Sequence, residues 1–394
     1  MVGLVLVTAG CMPIVPVTYQ GSQYSGASEP TADKPQSKLW YNDGAWWGAI
    51  LAPSGKIQVF ELLADHTWRD TGTVIDDRAA STGDAFWDQG TGKLYLGSRV
   101  SSGAARLARL TYTSATRSYA MDADFPAQIH ANGSESLTIA KDSTGTVWAT
   151  FTRGSKVFVT HTLLGSDDRT WTAPFQPAGG TSACVTTDIT CVTSDDISTV
   201  IAFNGQVGVL WSNQRAGHDN FYFATHVDAT LDTLWTSEVA FGGPDVADDH
   251  MNIKNVVSVT DGRLFAAVKT SKSSSGDPLM VLLVRSLTGQ WTNHTYSTSA
   301  EDQTRPLVLV DESNRHLYMF ASKTGGGPAI WYKRTNLDGI SFRTGLGTPF
   351  VKFEGANNLN NASSMKQVVD SVTNVVVLAS DATQSRYYHA ELDI

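Results

Sequence analysis

Residues 146–153 read TVWATFTR after a Ser-Thr-Gly turn, and this β-rich phrase recurs along the chain in variant form. The other copies read GAWWGAIL near 44, KLYLGSRV near 93, QVGVLWSN near 206, RLFAAVKT near 263, RHLYMFAS near 315 and NVVVLASD near 374. Spacings of 48 to 60 residues separate the equivalent positions, which are Trp46, Leu94, Val147, Val207, Leu264, Leu317 and Val375. A fixed period of this length indicates a repeat architecture.

Each unit contains four β-prone segments joined by tight turns. The third unit, for example, reads SLTIAKD, TVWATFTR, KVFVTHTLLG and TWTAPF, and Gly-containing turns suit hairpins. Seven four-stranded antiparallel units predict an all-β, seven-bladed β-propeller, which leaves few exposed strand edges. The seventh unit ends after three strands, so we expect IVPVTY at residues 14–19 to supply the fourth and close the ring. A six-bladed ring is the alternative if a terminal unit is counted wrongly.

The composition supports a folded chain. It has 394 residues, of which 17% are charged and 10% aromatic, and this argues against disorder and a coiled coil. The net charge of −9 argues against a nucleic-acid partner. The sevenfold repeat predicts one propeller domain at 38–394, which we expect to act as a monomer.

The N-terminus predicts export. Residues 2–9, VGLVLVTA, are too few to span a bilayer but suit a secretory signal. Ala9, Gly10 and Cys11 resemble a bacterial lipobox, which implies lipidation of Cys11 and a membrane link through that anchor alone. An ordinary cleaved signal or a mis-assigned start is the alternative. Residues 1–11 are thus a signal or lipoprotein-like segment, and 12–37 are a closing strand and polar tether. The expected location is extracellular or at the cell surface.

Two further cysteines, Cys184 and Cys191, lie in a Gly/Thr/Ser-rich connection between the third and fourth units. This stretch has little apolar content to hold it, and an exported chain meets oxidising conditions. We predict a disulfide between them, closing a ring of about 8 residues. Two free thiols in a mobile loop are the alternative.

Two phrases resemble known propellers. DSTGTVWAT at 142–150 and TDGRLFAAV at 260–268 resemble the repeats of sialidase-like (BNR-type) propellers. Asp248, Asp249 and His250, followed by DGRLFAA, resemble the Asp-Asp-His phrase of polysaccharide lyases of the ulvan-lyase kind. The resemblance implies action on a uronate-containing polysaccharide, with a histidine on the propeller's upper face.

In a propeller, the loops that enter the innermost strands share one face, here called the upper face. His250, Asn252 and Lys254 alternate at the start of one such strand, so they share a side of it. With Arg305 and Lys366 at similar positions in neighbouring units, they predict a basic corner for an anionic ligand. The predicted catalytic residues are His250, Lys254 and Arg305. The predicted substrate-binding residues are Asp84, Arg215, His218, Asp249, Asn252, Lys366 and Trp211. Structural hydrogen bonds and channel-lining ion pairs are the competing interpretation.

Three functions remain open from the sequence. Lyase-type elimination would use Arg or Lys to neutralise the sugar carboxylate and His as the base. Sialidase-like glycoside hydrolysis would need two carboxyl groups from a set that sequence cannot pair: Asp84, Glu135, Asp195, Asp196, Asp249 and Glu301. A non-catalytic glycan-binding or adhesive propeller is the third. No cofactor is predicted, and a divalent cation such as calcium stays an open alternative.

Overall fold

The computed structural model describes residues 14–31, 35–165, 167–181, 183–255 and 261–394. These residues form seven antiparallel sheets, one for each repeat, so the all-β, seven-bladed propeller is confirmed. The only helical segments among them are two short 3-10 turns, Ser114–Thr116 and Pro177–Gly179. Within the described ranges, no helix is long and apolar enough to cross a membrane. The predicted signal and the lipidation site Cys11 lie outside the described residues.

The strands follow one another from the innermost to the outermost position of each blade. β1 (Thr18–Gln23) precedes blade 1, which comprises β2 (Leu39–Asn42), β3 (Ala45–Leu51), β4 (Ile57–Leu62) and β5 (Trp68–Asp76). Blade 2 comprises β6 (Thr82–Asp88), β7 (Lys93–Arg99), β8 (Ala105–Thr113), β9 (Ser118–Met121) and β10 (Ala127–His130). Blade 3 comprises β11 (Thr138–Lys141), β12 (Val147–Arg153) and β13 (Lys156–His161). Blade 4 comprises β14 (Ser198–Phe203), β15 (Gln206–Asn213), β16 (Asn220–Val227) and β17 (Thr236–Gly242).

The remaining blades have the same order. Blade 5 comprises β18 (Met251–Asn255), β19 (Leu264–Lys269), β20 (Pro278–Arg285) and β21 (Trp291–Thr298). Blade 6 comprises β22 (Gln303–Asp311), β23 (His316–Lys323), β24 (Ile330–Asn336) and β25 (Thr348–Val351). Blade 7 comprises β26 (Leu359–Ser363), β27 (Val375–Asp381) and β28 (Arg386–Leu392), completed by β1.

The outer edges of blades 2 and 3 are irregular. In blade 2, two short strands, β9 and β10, share the outer edge of β8. In blade 3, the predicted fourth segment TWTAPF pairs only through the isolated bridges Thr162–Trp171 and Val159–Phe175. The repeat therefore predicted the position of this segment, although its pairing is interrupted.

The core lies between neighbouring blades, because each sheet buries both faces against the next one. Between blades 4 and 5, for example, Leu210 and Phe223 pack with Met251 and Ile253 from the innermost strand β18. The innermost strands contact one another in order around the ring. Leu39 of blade 1 completes the circle by donating its backbone N–H to the carbonyl of Ser364, 3.2 Å away, in blade 7.

The ring closes through the N-terminal strand, as predicted, but a few residues further along the chain. β1 pairs with β28, with Thr18 opposite Ala390 and Gln20 opposite Tyr388. The predicted segment 14–19 began too early, since Ile14 and Val15 remain about three-fifths exposed. β1 is the outermost strand of the blade 7 sheet and pairs only with β28. Its residues are half-buried or exposed, which suits their polar side chains.

Residues 35–37, expected as the end of the polar tether, lie inside the propeller channel together with Lys38. The Gln36 side chain donates to the carbonyl of Leu137 in blade 3 at 2.9 Å. The Lys38 backbone N–H donates to Ser363 Oγ of blade 7 at 3.1 Å. Gln36, Ser37 and Lys38 are all nearly fully buried. The segment therefore crosses the channel and connects inner strands that are far apart in the sequence.

Candidate functional site

The predicted site residues fall into separate groups. An Asp–His cluster (Asp248, Asp249, His250 and Lys269) lies where the chain enters β18. An Arg305 cluster (Arg305, Asn361 and Glu29) lies at the starts of β22 and β26. A third group, the channel lysines (Lys254 and Lys366, with Asp84), lies within the channel. The first two groups are on the upper face, because all innermost strands run in the same direction from it.

The Asp–His cluster surrounds one imidazole with carboxylates. His250 Nδ1 lies 2.6 Å from Asp249 Oδ1 and also contacts Asp248 Oδ1. Lys269 Nζ contacts the other oxygen of Asp248 at 2.6 Å. Burial alone would raise the pKa of the Asp248 carboxyl, but the hydrogen bond from His250 and the charges of His250 and Lys269 hold it below its ordinary value. The cluster is therefore a pre-oriented histidine in an ionised, hydrogen-bonded setting.

Asp248, Asp249 and His250 could each offer one ligand atom to a metal ion, since these three atoms lie within 4.8 Å of one another. Calcium, however, takes six to eight oxygen ligands. Here the Lys269 ammonium already provides positive charge at Asp248, and the imidazole nitrogen is bonded to both carboxylates. The arrangement fits a histidine–carboxylate dyad better than a calcium site.

The Arg305 cluster contains a carboxylate from the N-terminal segment. Arg305 Nη1 donates to Asn361 Oδ1 at 2.8 Å, and Asn361 Nδ2 donates to Glu29 Oε2 at 2.9 Å. Glu29 also lies 3.8 Å from Arg305 Nη2. Arg305 and Asn361 have φ of 57° and 55°, and the ladders of β22 and β26 are irregular around them. A left-handed backbone is costly for Arg305, whereas asparagine adopts it more readily, and strained residues often cluster at functional sites.

The channel lysines do not join the upper-face groups. Lys254 follows His250 by four residues, so their backbones are roughly 13 Å apart along the strand. Its Nζ donates to Ser37 Oγ at 2.7 Å inside the channel. Lys366 Nζ lies 2.5 Å from Asp84 Oδ2 and 2.5 Å from the Ile139 carbonyl. Burial, assisted by Lys366 and opposed by Asp84, lowers the pKa of Lys254 to about 7. The structure therefore places Lys254 and Lys366 inside the channel, apart from His250 at the start of the strand.

Two predicted substrate-binding residues instead connect neighbouring blades. Asp84 is fully buried, and its Oδ2 accepts the backbone N–H of Ile139 at 2.8 Å in the next blade. Asn252 Oδ1 accepts the N–H of Val308 at 3.3 Å in blade 6, and only 1% of Asn252 is exposed. Adjacent innermost strands leave some backbone groups unpaired, and a buried unpaired group is costly. The polar residues on these strands satisfy that requirement.

The blade 4 residues hold the disulfide-closed loop. Arg215 Nη2 donates to the Asp188 carbonyl at 2.9 Å, and His218 Nε2 lies 2.8 Å from the Thr186 carbonyl. The Trp211 indole donates to the carbonyl of Ile189 at 2.9 Å. Trp211 has no exposed surface, so its predicted role as a sugar-stacking ring is corrected to that of a core residue. Arg215 and His218 contact the loop rather than an open pocket.

The predicted disulfide is confirmed. Cys184 and Cys191 are bonded, with their Cα atoms 5.6 Å apart. The loop that they close is further held by Asn213, whose side-chain amide donates to the Cys191 carbonyl at 2.9 Å. Covalent and hydrogen-bonded restraints together position this loop against blade 4.

Sequence reasoning missed Glu29 and Ser37. Both lie in a segment whose Ser/Pro-rich composition resembles a flexible linker, and their contacts lie hundreds of positions away in the chain. No local pattern marks them. The one available signal was the expected N-terminal closing strand, which requires the segment after it to pass over the ring into blade 1.

No family model matches the chain. Among solved structures, the polysaccharide lyase Uly1 is similar over 95% of this chain and 92% of its own, with a TM-score of 0.51 and 8% identity. The chain shares the fold of this lyase. The Aleuria aurantia lectin in complex with α-methyl-L-fucoside has a TM-score of 0.48 at 10% identity, covering 83% of this chain and 98% of the lectin. The NanB sialidase of Streptococcus pneumoniae has 0.37 at 10% identity, covering 79% of this chain and 54% of the sialidase. At 8% identity the likeness to Uly1 shows the fold alone.

Proposed function

We propose that this chain is an exported, carbohydrate-active propeller that binds a uronate-containing polysaccharide on its upper face and cleaves it by elimination. The observation that supports this most is the pairing of two groups at neighbouring strand starts. One is His250 held by carboxylates, and the other is Arg305 with a carboxylate already beside it. These are the two chemical components that elimination requires.

His250 is the proposed base. The carboxylates of Asp248 and Asp249 at Nδ1 orient the ring and stabilise the imidazolium that forms when the ring takes a proton. Nε2, on the opposite side of the imidazole, would remove the proton at C5 of the uronate. The electron pair of that C–H bond then forms the C4=C5 double bond as the C4–O bond breaks. The leaving sugar oxygen takes a proton from water, and His250 then releases the C5 proton to solvent, so the reaction balances.

Arg305 and Asn361 are the proposed carboxylate-binding pair. Neutralising the uronate carboxylate makes the adjacent C–H more acidic, and a planar guanidinium suits this role. Glu29 supports the proposal, because its carboxylate accepts from Asn361 at 2.9 Å and lies near Arg305. A substrate carboxylate would displace Glu29 and make the equivalent contacts.

The proposed setting is an oxidising compartment outside the cytoplasm. The Cys184–Cys191 bond supports this, because disulfides persist mainly in exported proteins. A monomer linked to the membrane only through Cys11 is the form that we propose. Intact-mass measurement of the exported protein would detect the lipid at Cys11.

The function is tested with a panel of polyuronates in ordinary and ¹⁸O-labelled water. Elimination predicts absorbance of an unsaturated uronate near 235 nm and no ¹⁸O in the products. Reducing ends that carry ¹⁸O, without this absorbance, would instead establish the hydrolase. Saturable glycan binding with neither product would identify a non-catalytic binding propeller and contradict the proposal.

A further inference from the structure

The lower half of the channel contains a cavity of about 290 Å³. Its walls come from several blades and are mainly apolar, and they include Leu39, Trp40, Trp87, Ile139, Val200 and Ile253. Trp87, Lys141 and Ala202 lie close to the ends of their innermost strands, and Lys141 and Ala202 are only partly buried. The cavity thus reaches the lower face, opposite the Asp–His cluster.

Two ammonium groups enter this cavity and share one carboxylate. Among the described residues, Lys254 Nζ makes a single hydrogen bond, to Ser37 Oγ, although Lys254 is only 4% exposed. Lys366 Nζ bonds to Asp84 and to the Ile139 carbonyl. Asp84 also accepts the backbone N–H groups of Ser37 and Ile139, so three donors already bond its carboxylate. Two N–H bonds of Lys254 and one of Lys366 are left for a ligand.

The other nearby lysines are already paired. Lys141, also on the wall, is neutralised by Asp88 at 2.7 Å. Lys38 donates to the Gly83 carbonyl at 2.8 Å and to Gln36, within the segment that crosses the channel. Among the lysines that line the cavity, the unbalanced charge is that of Lys254 and Lys366 against Asp84. A buried cation with open donors is costly unless an anion accompanies it.

We propose that this cavity binds a small organic monocarboxylate with an apolar body, such as an aryl carboxylate. Its two oxygens match the three available N–H donors of Lys254 and Lys366, and its single negative charge balances the excess positive charge. Its body would contact the walls formed by Trp40, Trp87 and Ile139. The volume is at the small end of ligand pockets, so a ligand of one ring is the appropriate size. This site is independent of the proposed lyase function.

Benzoate is the probe, titrated calorimetrically and by the fluorescence of the wall tryptophans. Wild type should bind one benzoate per chain, and Lys254→Met should weaken binding at least tenfold. Lys333→Met is the matched control, because Lys333 is a buried lysine of blade 6 that bonds the Tyr296 carbonyl away from the cavity. It should bind benzoate as wild type does. Equal affinity in wild type and Lys254→Met, or no saturable binding of benzoate and isobutyrate up to about 10 mM, would overturn the proposal.

A second variant tests the cavity while keeping both lysines. Ala202→Phe narrows the cavity at its rim and should also weaken benzoate binding at least tenfold. Benzyl alcohol, which lacks the charge, should not bind. Phosphate or chloride binding as tightly as benzoate would show a simple inorganic-anion site and overturn the assignment of an apolar body.

Discussion

Replacing Tyr24 by alanine tests whether the N-terminal strand holds the ring closed. Tyr24 directly follows β1 and is 4% exposed. Its ring packs against Tyr387 with centroids 4.9 Å apart, and its hydroxyl lies 3.0 Å from the carbonyls of Asp381 and Ser28. Truncating a buried aromatic ring costs about 3–5 kcal/mol. We predict that Tyr24→Ala lowers the free energy of unfolding by this amount.

The same figure gives an expected melting shift. An unfolding entropy of about 2.1 cal/mol/K per residue amounts to about 0.8 kcal/mol/K for this chain, so a loss of ~4 kcal/mol lowers Tm by ~5 °C. Tyr24→Phe keeps the ring and loses only the hydroxyl contacts, which are worth about 0.5–1.5 kcal/mol. Its Tm should therefore fall by roughly 1–2 °C.

Thermal unfolding followed by circular dichroism measures both shifts. A matched glycine pair tests the strand contact separately. A Cβ at Gly21 would lie 3.2 Å from Tyr387 Cβ, whereas one at Gly276 meets nothing within 4 Å. Gly21→Ala should lower Tm and Gly276→Ala should leave it unchanged. A Tm for Tyr24→Ala within 1 °C of wild type would refute the closure as a source of stability.

Further predictions concern the loop, the upper face and the channel. Cys184→Ser with Cys191→Ser should lower the free energy of unfolding by about 2.5 kcal/mol, since the bond closes a short ring; equal urea midpoints would show that the loop needs no covalent restraint. Glu29→Gln should lower KM for a polyuronate several-fold, because a competing carboxylate is removed from Arg305, and an unchanged KM would argue against this competition. Burial holds the pKa of Lys254 at about 7, below its ordinary 10.5. Between pH 7 and pH 10.5 the unfolded chain therefore binds more protons than the folded one, so the free energy of unfolding should rise with pH over this range. Lys254→Met should flatten that rise and raise the urea midpoint most below pH 7; a midpoint gain that grows with pH would contradict the sign.

The sequence predicted the fold because each blade repeats one local pattern. The turn after Asp142 illustrates this, since its carboxylate accepts the backbone N–H groups of Thr144 and Thr146 and the indole N–H of Trp148, all within a few residues. Turns of this kind can be predicted from neighbouring residues in the sequence, because all their hydrogen bonds are local. The exact closing strand was less readable, because Thr18–Gln23 is polar and its partner is nearly 370 residues away.

The site was harder to predict because polar residues on innermost strands have two different uses. His250 and Asn252 alternate in the sequence as ligand residues would, yet Asn252 is used to bond Val308 in the next blade. Trp211 looked accessible beside a loop, but the disulfide loop covers it. The position of such residues relative to other blades depends on the ring geometry, which a linear pattern does not contain.

The rate of product formation by His250→Gln near 235 nm tests the proposed chemistry most directly. The matched control is His66→Gln, because His66 also bonds a carboxylate through Nδ1, at 2.8 Å from Glu391, but lies outside the Asp–His cluster. A general base contributes about 10²–10⁴-fold to a rate. On a polyuronate that wild type cleaves, His250→Gln should be at least 100-fold slower while still unfolding in one cooperative transition above the assay temperature, and His66→Gln should keep the wild-type rate. A His250→Gln rate within threefold of wild type would contradict the assignment of His250 as the base.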